Sequence, residues 1–195
     1  MPSMNSNIGN VGRGFASFMT PAPEGVVRFT VGQPDFRTPE AIVDAAKGAL
    51  DAGEHGYTRS QGNEEVCNAV AKHLTKYDIH VDANDVVVSP GCKQSLLYAM
   101  MTCLNPGDEV ILFAPAWPSY EGMLKLIGAV PVHVPVKREN YHPDMTATRA
   151  AITSKTKAIL LNSPNNPTGA VYLPSEIEEL TAIAAENDLW IFDDM

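Results

Sequence analysis

The stretch Leu161-Asn162-Ser163-Pro164-Asn165-Asn166-Pro167-Thr168-Gly169 decides how the rest of the sequence is interpreted. It follows the apolar run Ala158 to Leu161 and precedes a helical pattern that begins near Pro174. This order predicts a strand, a polar loop and then a helix. Loops at the carboxyl ends of parallel strands are where open α/β sheets bind ligands. Asn, Pro and Gly are also ordinary turn residues, so the loop by itself fits a plain connection equally well.

Strand and helix patterns alternate around this loop from residue 85 onward. Short apolar or β-branched runs predict strands at Asp85–Ser89, Glu109–Phe113, Val130–Val136, Ala158–Leu161 and Leu189–Asp193. Helical patterns connect these runs, an alternation typical of βαβ units. We therefore predict an α/β fold with a mostly parallel sheet and helices on both faces. Pro131 and Pro135 place the third of these strands near an edge of the sheet.

The N-terminal part of the chain has a different composition. Residues 1–25 are rich in Gly, Asn, Ser and Pro and indicate an arm, and Val26–Val31 is a candidate short strand. We assign residues 1–37 to an N-terminal arm or small-domain segment. Residues 38–195 then form one larger domain.

Two amphipathic helices are predicted between this segment and residue 85. Thr38 is a suitable N-cap for the first helix, and Pro39 is a suitable first helical residue. Its apolar face consists of Ile42, Ala45, Ala46 and Leu50. The second helix is expected from about Asn63 to Tyr77, and its inward residues are Val66, Val70 and Leu74.

Composition excludes several classes of protein. The 195 residues include 14 basic and 23 acidic side chains, and the net charge of -9 argues against nucleic-acid binding. No run approaches the roughly 18 apolar residues of a membrane helix, and no signal peptide is evident. The spacing of Cys67, Cys92 and Cys103 fits neither a zinc site nor a C-x-x-C motif. We expect a cytoplasmic protein with reduced thiols and no membrane or nucleic-acid partner.

The turn Ser89-Pro90-Gly91-Cys92-Lys93 lies between a predicted strand and a predicted helix. Free N–H groups at a helix start bind anions, and Gly allows close approach of a ligand. The turn matches neither GxGxxG nor a P-loop, so a single phosphate fits better than a nucleotide. A helix start that binds nothing fits the same residues.

Two further strand ends carry side chains suited to an aromatic ligand. Trp117 is flanked by prolines after the strand Glu109–Phe113, where it either stacks on a planar ring or packs the loop down. Asp193 ends the last apolar strand, where a carboxylate needs a cation or hydrogen-bond donors. Asp194 is an alternative on chemistry alone, and either residue could be an ordinary helix N-cap. A phosphorylated aromatic cofactor would use the turn, Trp117, the Asn loop and this carboxylate together.

Taken together, these motifs resemble those of the fold-type I, pyridoxal-phosphate-dependent aminotransferases of class I/II, especially the aspartate aminotransferase-like branch. The similarity runs from about Val26 to the last residue. It is carried by Gly32-Gln33-Pro34-Asp35-Phe36, Tyr57-Thr58 with Gly62, Gly91-Cys92-Lys93-Gln94, Pro106-Gly107-Asp108-Glu109-Val110, Trp117 with Ser119-Tyr120, the Asn-Pro loop and Asp193.

The resemblance implies a site for pyridoxal 5'-phosphate. Gly91, Cys92 and Lys93 are similar to the turn that holds the cofactor phosphate, and Trp117 to the aromatic residue stacked on the pyridine ring. Asn166 resembles the donor to the phenolic oxygen of that ring. Asp193 resembles the carboxylate that pairs with the ring nitrogen.

Substrate and subunit contacts are implied in the same way. Gly32, Trp117 and Asn166 resemble substrate-binding positions. Tyr57 resembles the residue that reaches the phosphate of the neighbouring subunit, which implies a homodimer. The implied reaction moves an amino group between an L-amino acid and a 2-oxo acid, and the amino donor stays open. Pro115 and Pro167 resemble positions where a cis bond is found.

The sequence also departs from the family pattern. Cys67 stands where many relatives carry Arg, and Pro90 and Cys92 are unusual in the phosphate turn. No lysine of this chain stands in the context of the lysine that forms the Schiff base, and the later substrate-binding Arg is missing. We therefore expect an N-terminal piece, truncated before that lysine, which does not transaminate by itself. A lyase or synthase on the same scaffold and a non-catalytic cofactor-sensing module remain alternatives.

Overall fold

The computed structural model describes residues 23–27, 32 and 34–195. The described residues form two compact units, one ending at Pro90 and the other running from Gly91 to Met195. Most of the predicted arm, residues 1–22, and most of the strand predicted at Val26–Val31 lie outside the described residues, as does Gln33. The boundary between residues 37 and 38 stays a prediction.

The second unit contains a four-stranded parallel sheet. Its strands are β1 (Glu109–Ala114), β2 (Val130–Pro135), β3 (Thr156–Leu161) and β4 (Trp190–Asp193), in the spatial order β2-β1-β3-β4. All three neighbouring pairs run parallel. The predicted parallel sheet is confirmed, and β2 lies at an edge as its two prolines indicated.

Four helices cover the two faces of this sheet: α3 (Cys92–Cys103), α4 (Pro118–Leu126), α5 (Met145–Ala151) and α6 (Pro174–Glu186). Residues of α3 and α4 pack with Leu112 and Leu160 on one face. Residues of α5 and α6 pack with Ile111 and Ile159 on the other. Helices on both faces are therefore confirmed. The sequence did not indicate α5, a seven-residue helix too short for a clear apolar period.

The alternation of side chains along the central strands explains these two layers. Successive residues of a strand point to opposite faces, so Ile111 and Leu112 belong to different clusters. All four of these Ile and Leu side chains on β1 and β3 are at most 3% exposed. Full burial of such a side chain stabilises the fold by about 1.5–3 kcal/mol. The sheet is thus held by apolar packing on both faces.

The first unit contains α1 (Glu40–Asp51) and α2 (Glu64–Leu74). Helix α1 begins one residue later than predicted, because Pro39 has ψ of 137°, outside the helical region, and is itself the N-cap. Asn63 caps α2 by accepting from Glu65 N at 2.8 Å. Among the described residues, no helix is both long and apolar enough to cross a bilayer.

The inward face predicted for α1 was wrong, and that predicted for α2 was wrong for Val66 and Val70, while Leu74 is partly buried. Helix α1 buries none of its residues, and Ile42 and Leu50 are 59% and 62% exposed. In α2 the buried residues are Cys67 and Ala71, whereas Val66 and Val70 are exposed. The small Cys67 side chain fits between the carbonyl oxygens of Gln61 and Val86, so a close backbone approach determines which side of α2 is covered.

The strand predicted at Asp85–Ser89 was also wrong. Ala83–Asp85 forms a 3-10 turn, Val86 is extended, and residues 86–89 belong to no strand. Val88 N donates to Gln61 O at 2.8 Å, which ties this segment to a loop. β-Branched residues favour an extended backbone, but a strand also needs a neighbour in a ladder. Within the described residues no other strand pairs with this segment.

Candidate functional site

The start of α3 is open to a ligand. Gly91 is the N-cap residue, with φ of 92°, and no side chain caps the helix. This φ is strained for residues with a Cβ, which explains the glycine. Apart from its own chain neighbours, no atom of the described residues lies within 4 Å of where a Cβ at Gly91 would be. Helix α3 has 12 residues. Its N-terminus presents N–H groups and the positive end of the helix dipole, which together favour binding of an anion.

The end of β4 lies against the start of this helix through Asp194. The Cys92 thiol donates to Asp194 Oδ1 at 3.1 Å, although the two residues are far apart in the sequence. The Tyr120 hydroxyl donates to Asp194 Oδ2. The structure therefore joins the first residue of α3, the helix α4 and the end of β4 at one carboxylate.

Both donors to Asp194 keep their protons at neutral pH. The hydrogen bond to Asp194, together with burial, raises the pKa of the Cys92 thiol to about 11. Burial, together with the hydrogen bond to Asp194, raises the pKa of Tyr120 far above its ordinary value. A negative neighbour and partial burial both disfavour a second negative charge. Cys92 is thus a hydrogen-bond donor here and a poor nucleophile.

Trp117 lies beside the same helix start. The Lys93 ammonium is 4.9 Å from the centroid of its ring, a cation–π distance. The Tyr120 ring meets the Trp117 ring edge to face, with centroids 5.3 Å apart. Two of the predicted site residues, Lys93 and Trp117, are thus neighbours. Their contact fixes the position of the indole ring.

Asn162 holds the carboxyl ends of β3 and β4 together. Its side-chain amide donates to Asp194 O at 2.7 Å and accepts from Asn166 N at 2.7 Å. Asp194 N donates to Leu161 O at 3.0 Å. Neither Asn162 nor Tyr120 was given a role from the sequence. Asn162 directly follows β3, which was a usable signal, whereas Tyr120 lies inside α4 and offered no such signal.

The Asn-Pro loop is closed by its own hydrogen bonds. Asn165 is 8% exposed, and its side-chain oxygen accepts from Thr168 Oγ1 at 2.8 Å. Gly169 N donates to Asn165 O at 2.7 Å. The loop contains cis bonds before Pro164 and Pro167, and a third follows β1 before Pro115. Asn166 is exposed, and no hydrogen bond from the described residues engages its side-chain amide.

Asp193 and Asp194 have different surroundings. Burial, followed by the charge of Asp194, raises the pKa of the Asp193 carboxyl. No hydrogen bond or ion pair from the described residues engages the Asp193 side chain. The structure therefore brings Asp194, rather than Asp193, into contact with the start of α3. Asp193 is the carboxylate that retains its capacity to bind a cation.

Tyr57 and Gly32 belong to the other unit. The Tyr57 side chain is fully exposed, and among the described residues no atom lies within 4 Å of a Cβ built at Gly32. Both residues are available for contacts, and their predicted roles stay predictions.

Comparison with known proteins bears on this arrangement. The family model described as "Aminotransferase class I and II" matches residues 24–195. The chain belongs to this family. The match includes every residue placed above at the carboxyl ends of the strands, and the mostly parallel α/β fold agrees with it.

Curated relatives in this aminotransferase family carry related names. The chain is 41% identical over 173 residues to an "Aspartate aminotransferase" of Sulfolobus acidocaldarius, covering 87% of this chain and 43% of that protein. It is 40% identical over 171 residues to the "Aspartate/prephenate aminotransferase" of Thermus thermophilus, covering 87% and 44%. These names favour an aminotransferase over the lyase and sensor alternatives. The chain spans less than half the length of these relatives.

A solved structure of this family supports the same fold. A Thermus thermophilus aspartate aminotransferase tetra mutant complexed with tryptophan matches with a TM-score of 0.89 at 35% identity. That match covers 100% of this chain and 53% of the other.

Proposed function

We propose that the full-length protein is a pyridoxal-phosphate-dependent aminotransferase that moves an amino group between an L-amino acid and a 2-oxo acid. The observation that carries the proposal is the 3.1 Å contact between Cys92 Sγ and Asp194 Oδ1. It brings an open helix N-terminus and an acidic strand end to one place. A ligand with a phosphate and a cationic ring nitrogen matches these two features.

The start of α3 fits the phosphate of this cofactor. Gly91 leaves open space, and the helix N-terminus supplies N–H donors without a side-chain cap. Lys93 adds a positive charge within the same turn. The backbone of Gly91, Cys92 and Lys93 is therefore assigned to the phosphate.

The ring would lie between Trp117, Asn166 and Asp193. When bound, pyridoxal phosphate supplies an electron-poor ring that withdraws electrons from the α-carbon of the substrate. Trp117 offers an aromatic face, and the exposed Asn166 amide offers a donor for the phenolic oxygen. A protonated ring nitrogen would lower the raised pKa of Asp193 by charge pairing, and the carboxylate would keep that nitrogen protonated.

Substrate binding and assembly extend the same proposal. Gly32, Trp117 and Asn166 are assigned to the substrate, and the exposed Tyr57 to the cofactor phosphate of a second subunit in a homodimer. The three cysteines are free thiols, which is compatible with the cytoplasm. The names of the relatives make aspartate the first amino donor to test.

The test is a half-reaction in the full-length protein. Addition of an L-amino acid to the protein loaded with cofactor should convert the cofactor to its amino form, as measured by absorption spectroscopy. Asp193→Asn should abolish this conversion because Asn cannot balance a ring cation. Asp194→Asn is the comparison at the neighbouring carboxylate; it keeps one side-chain acceptor and should weaken the conversion without abolishing it.

Failure to bind pyridoxal phosphate would refute the proposal. Retained conversion in Asp193→Asn with loss in Asp194→Asn would reassign the ring nitrogen to Asp194. Light scattering tests the homodimer, and Tyr57→Phe should weaken cofactor binding only if the second subunit supplies that hydroxyl.

A further inference from the structure

Cys92 has two separable parts. Its backbone belongs to the proposed phosphate site, whereas its thiol points to a carboxylate on another element. The side chain therefore calls for an explanation that the phosphate site does not supply.

Asp194 forms hydrogen bonds with residues of α3, of α4 and of the end of β3. Its two carboxylate oxygens accept from the Cys92 thiol of α3 and from the Tyr120 hydroxyl of α4. Its backbone N–H donates to Leu161 O at 3.0 Å, and its carbonyl accepts from the Asn162 amide at 2.7 Å. Tyr120 is 1% exposed, so packing fixes the position of its hydroxyl. Among these donors only the Cys92 thiol comes from the phosphate turn.

We propose that Cys92 and Tyr120 are positioning residues, which hold the Asp194 carboxylate and thereby fix the end of β4 beside the start of α3. Asp193 directly precedes Asp194 on that strand end. The arrangement therefore sets the distance between the carboxylate assigned to the ring nitrogen and the turn assigned to the phosphate. This inference rests on the proposed function for its consequence, but its contacts exist without a cofactor.

The first experiment measures the Cys92 thiol in the full-length protein without cofactor. Iodoacetamide labels Cys92 at pH 8, and mass spectrometry of the peptide containing residue 92 gives the rate. Asp194→Asn removes the negative charge that disfavours the thiolate. Labelling of Cys92 should then be faster by on the order of 10- to 100-fold. Cys103, in the last turn of the same helix, is the internal control and should keep its rate.

The second experiment follows the end of β4 by hydrogen exchange of the peptide containing residues 190–195. Tyr120→Phe keeps the ring and removes one donor to Asp194. Exchange in this peptide should become roughly 2- to 12-fold faster, the range for one net hydrogen bond. Cys92→Ala should act in the same direction, and Cys92→Ser should restore part of the protection. Cys103→Ser is the matched control and should leave this peptide unchanged.

The third measurement joins the inference to the cofactor. Absorption titration of pyridoxal phosphate should give weaker binding to Cys92→Ala than to Cys92→Ser, because both keep the backbone but only serine keeps a donor. Equal exchange and equal affinity in these two variants would overturn the inference. An unchanged Cys92 labelling rate in folded Asp194→Asn would also overturn it. If Asp194→Asn does not fold, the inference is tested by hydrogen exchange of residues 190–195 in Tyr120→Phe alone.

These outcomes separate the two proposals. A protein that shows the labelling and exchange effects but binds no pyridoxal phosphate would refute the proposed function and leave the positioning of Asp194 intact. Suppose instead that the full-length protein transaminates normally but residues 190–195 exchange as slowly in Cys92→Ala as in the parent. The positioning of Asp194 would then be refuted, and the proposed function would stand.

Discussion

The two units of the chain differ in how they bury apolar side chains. Gly91–Met195 has two clusters of buried residues, one on each face of the sheet. Residues 34–90 have a single small cluster of Cys67, Ala71 and Val86. Amphipathic helical patterns occur in both units, but only in the second do they lead to a packed core. An apolar stripe therefore predicts which face of a helix can be buried. Whether that face is buried depends on a second layer of structure that packs against it.

The largest effect is expected in the sheet unit from Leu180→Ala. Leu180 in α6 is 0% exposed, and its truncation leaves a cavity in the cluster against β1 and β3. The free energy of unfolding should fall by about 2–5 kcal/mol. Denaturant unfolding with hydrogen exchange of residues 156–161 measures it.

Ile42→Ala in α1 is the matched truncation in the other unit and should cost less than about 1 kcal/mol, because Ile42 is 59% exposed. Equal losses for Leu180→Ala and Ile42→Ala would contradict the contrast between the two units.

The next effect tests the small cluster itself through Gly62→Ala. Gly62 has φ of 113°, and a Cβ there would lie 2.9 Å from Val88 Cβ. We expect a loss of about 1–3 kcal/mol from strain. Alkylation of Cys67 measures the opening of this unit and should become faster.

Gly48→Ala is the control for this change, since Gly48 lies inside α1 with nothing within 4 Å of its Cβ position. It should stabilise α1 by about 0.5–1 kcal/mol. A Gly62→Ala variant in which Cys67 stays as protected as in the parent would show that the cluster tolerates the extra methyl group.

A smaller effect is expected from Asn162→Ala at the strand ends of the sheet unit. The change removes the hydrogen bonds to Asp194 O and from Asn166 N, each 2.7 Å long. Each bond contributes about 0.5–1.5 kcal/mol net. Hydrogen exchange of residues 162–170 should accelerate. Asn166→Ala, with an exposed side chain, should leave this exchange nearly unchanged.

The smallest effect concerns the surface of the sheet unit. The hydrogen bond from Lys125, followed by the charges of Lys125 and His133, lowers the pKa of Glu121 from its ordinary 4.5. A lowered pKa stabilises the fold above 4.5, and this contribution disappears as pH falls below that value. Glu121→Gln should cost less than about 1 kcal/mol at pH 7 and less still at pH 3. A cost that grows on acidification, measured by denaturant unfolding at both pH values, would contradict this sign.

The strands and helices that sequence analysis predicted correctly share one property. Runs such as Glu109–Phe113 combine apolar side chains with clear turn residues on both sides, so local pattern and tertiary environment agree. The incorrect predictions concern segments in which the local sequence pattern and the tertiary environment disagree. Asp85–Ser89 has the residues of a strand without a partner strand, and Val66 and Val70 form an apolar stripe that no layer covers.

The same distinction between local pattern and tertiary contact applies to the candidate site. The order of strand, turn and helix predicted that Trp117 and the Asn-Pro loop follow parallel strands, as they do, whereas the strand expected before Gly91 does not form. The motifs at all three places indicated the family. Sequence could not show that Asp194 meets Cys92 and Tyr120, because these residues lie on three different elements.

The α/β class, the parallel order of the alternating elements and the family could be predicted from the sequence alone, which also nominated the candidate cofactor-binding residues. These follow from local periodicity and from residue types at fixed spacing. Only the tertiary structure decided which helix faces are covered, which of the two neighbouring carboxylates is engaged by donors, and that Asn162 joins two strand ends. The reason is physical: burial and hydrogen bonding depend on partners that packing brings together from distant parts of the chain.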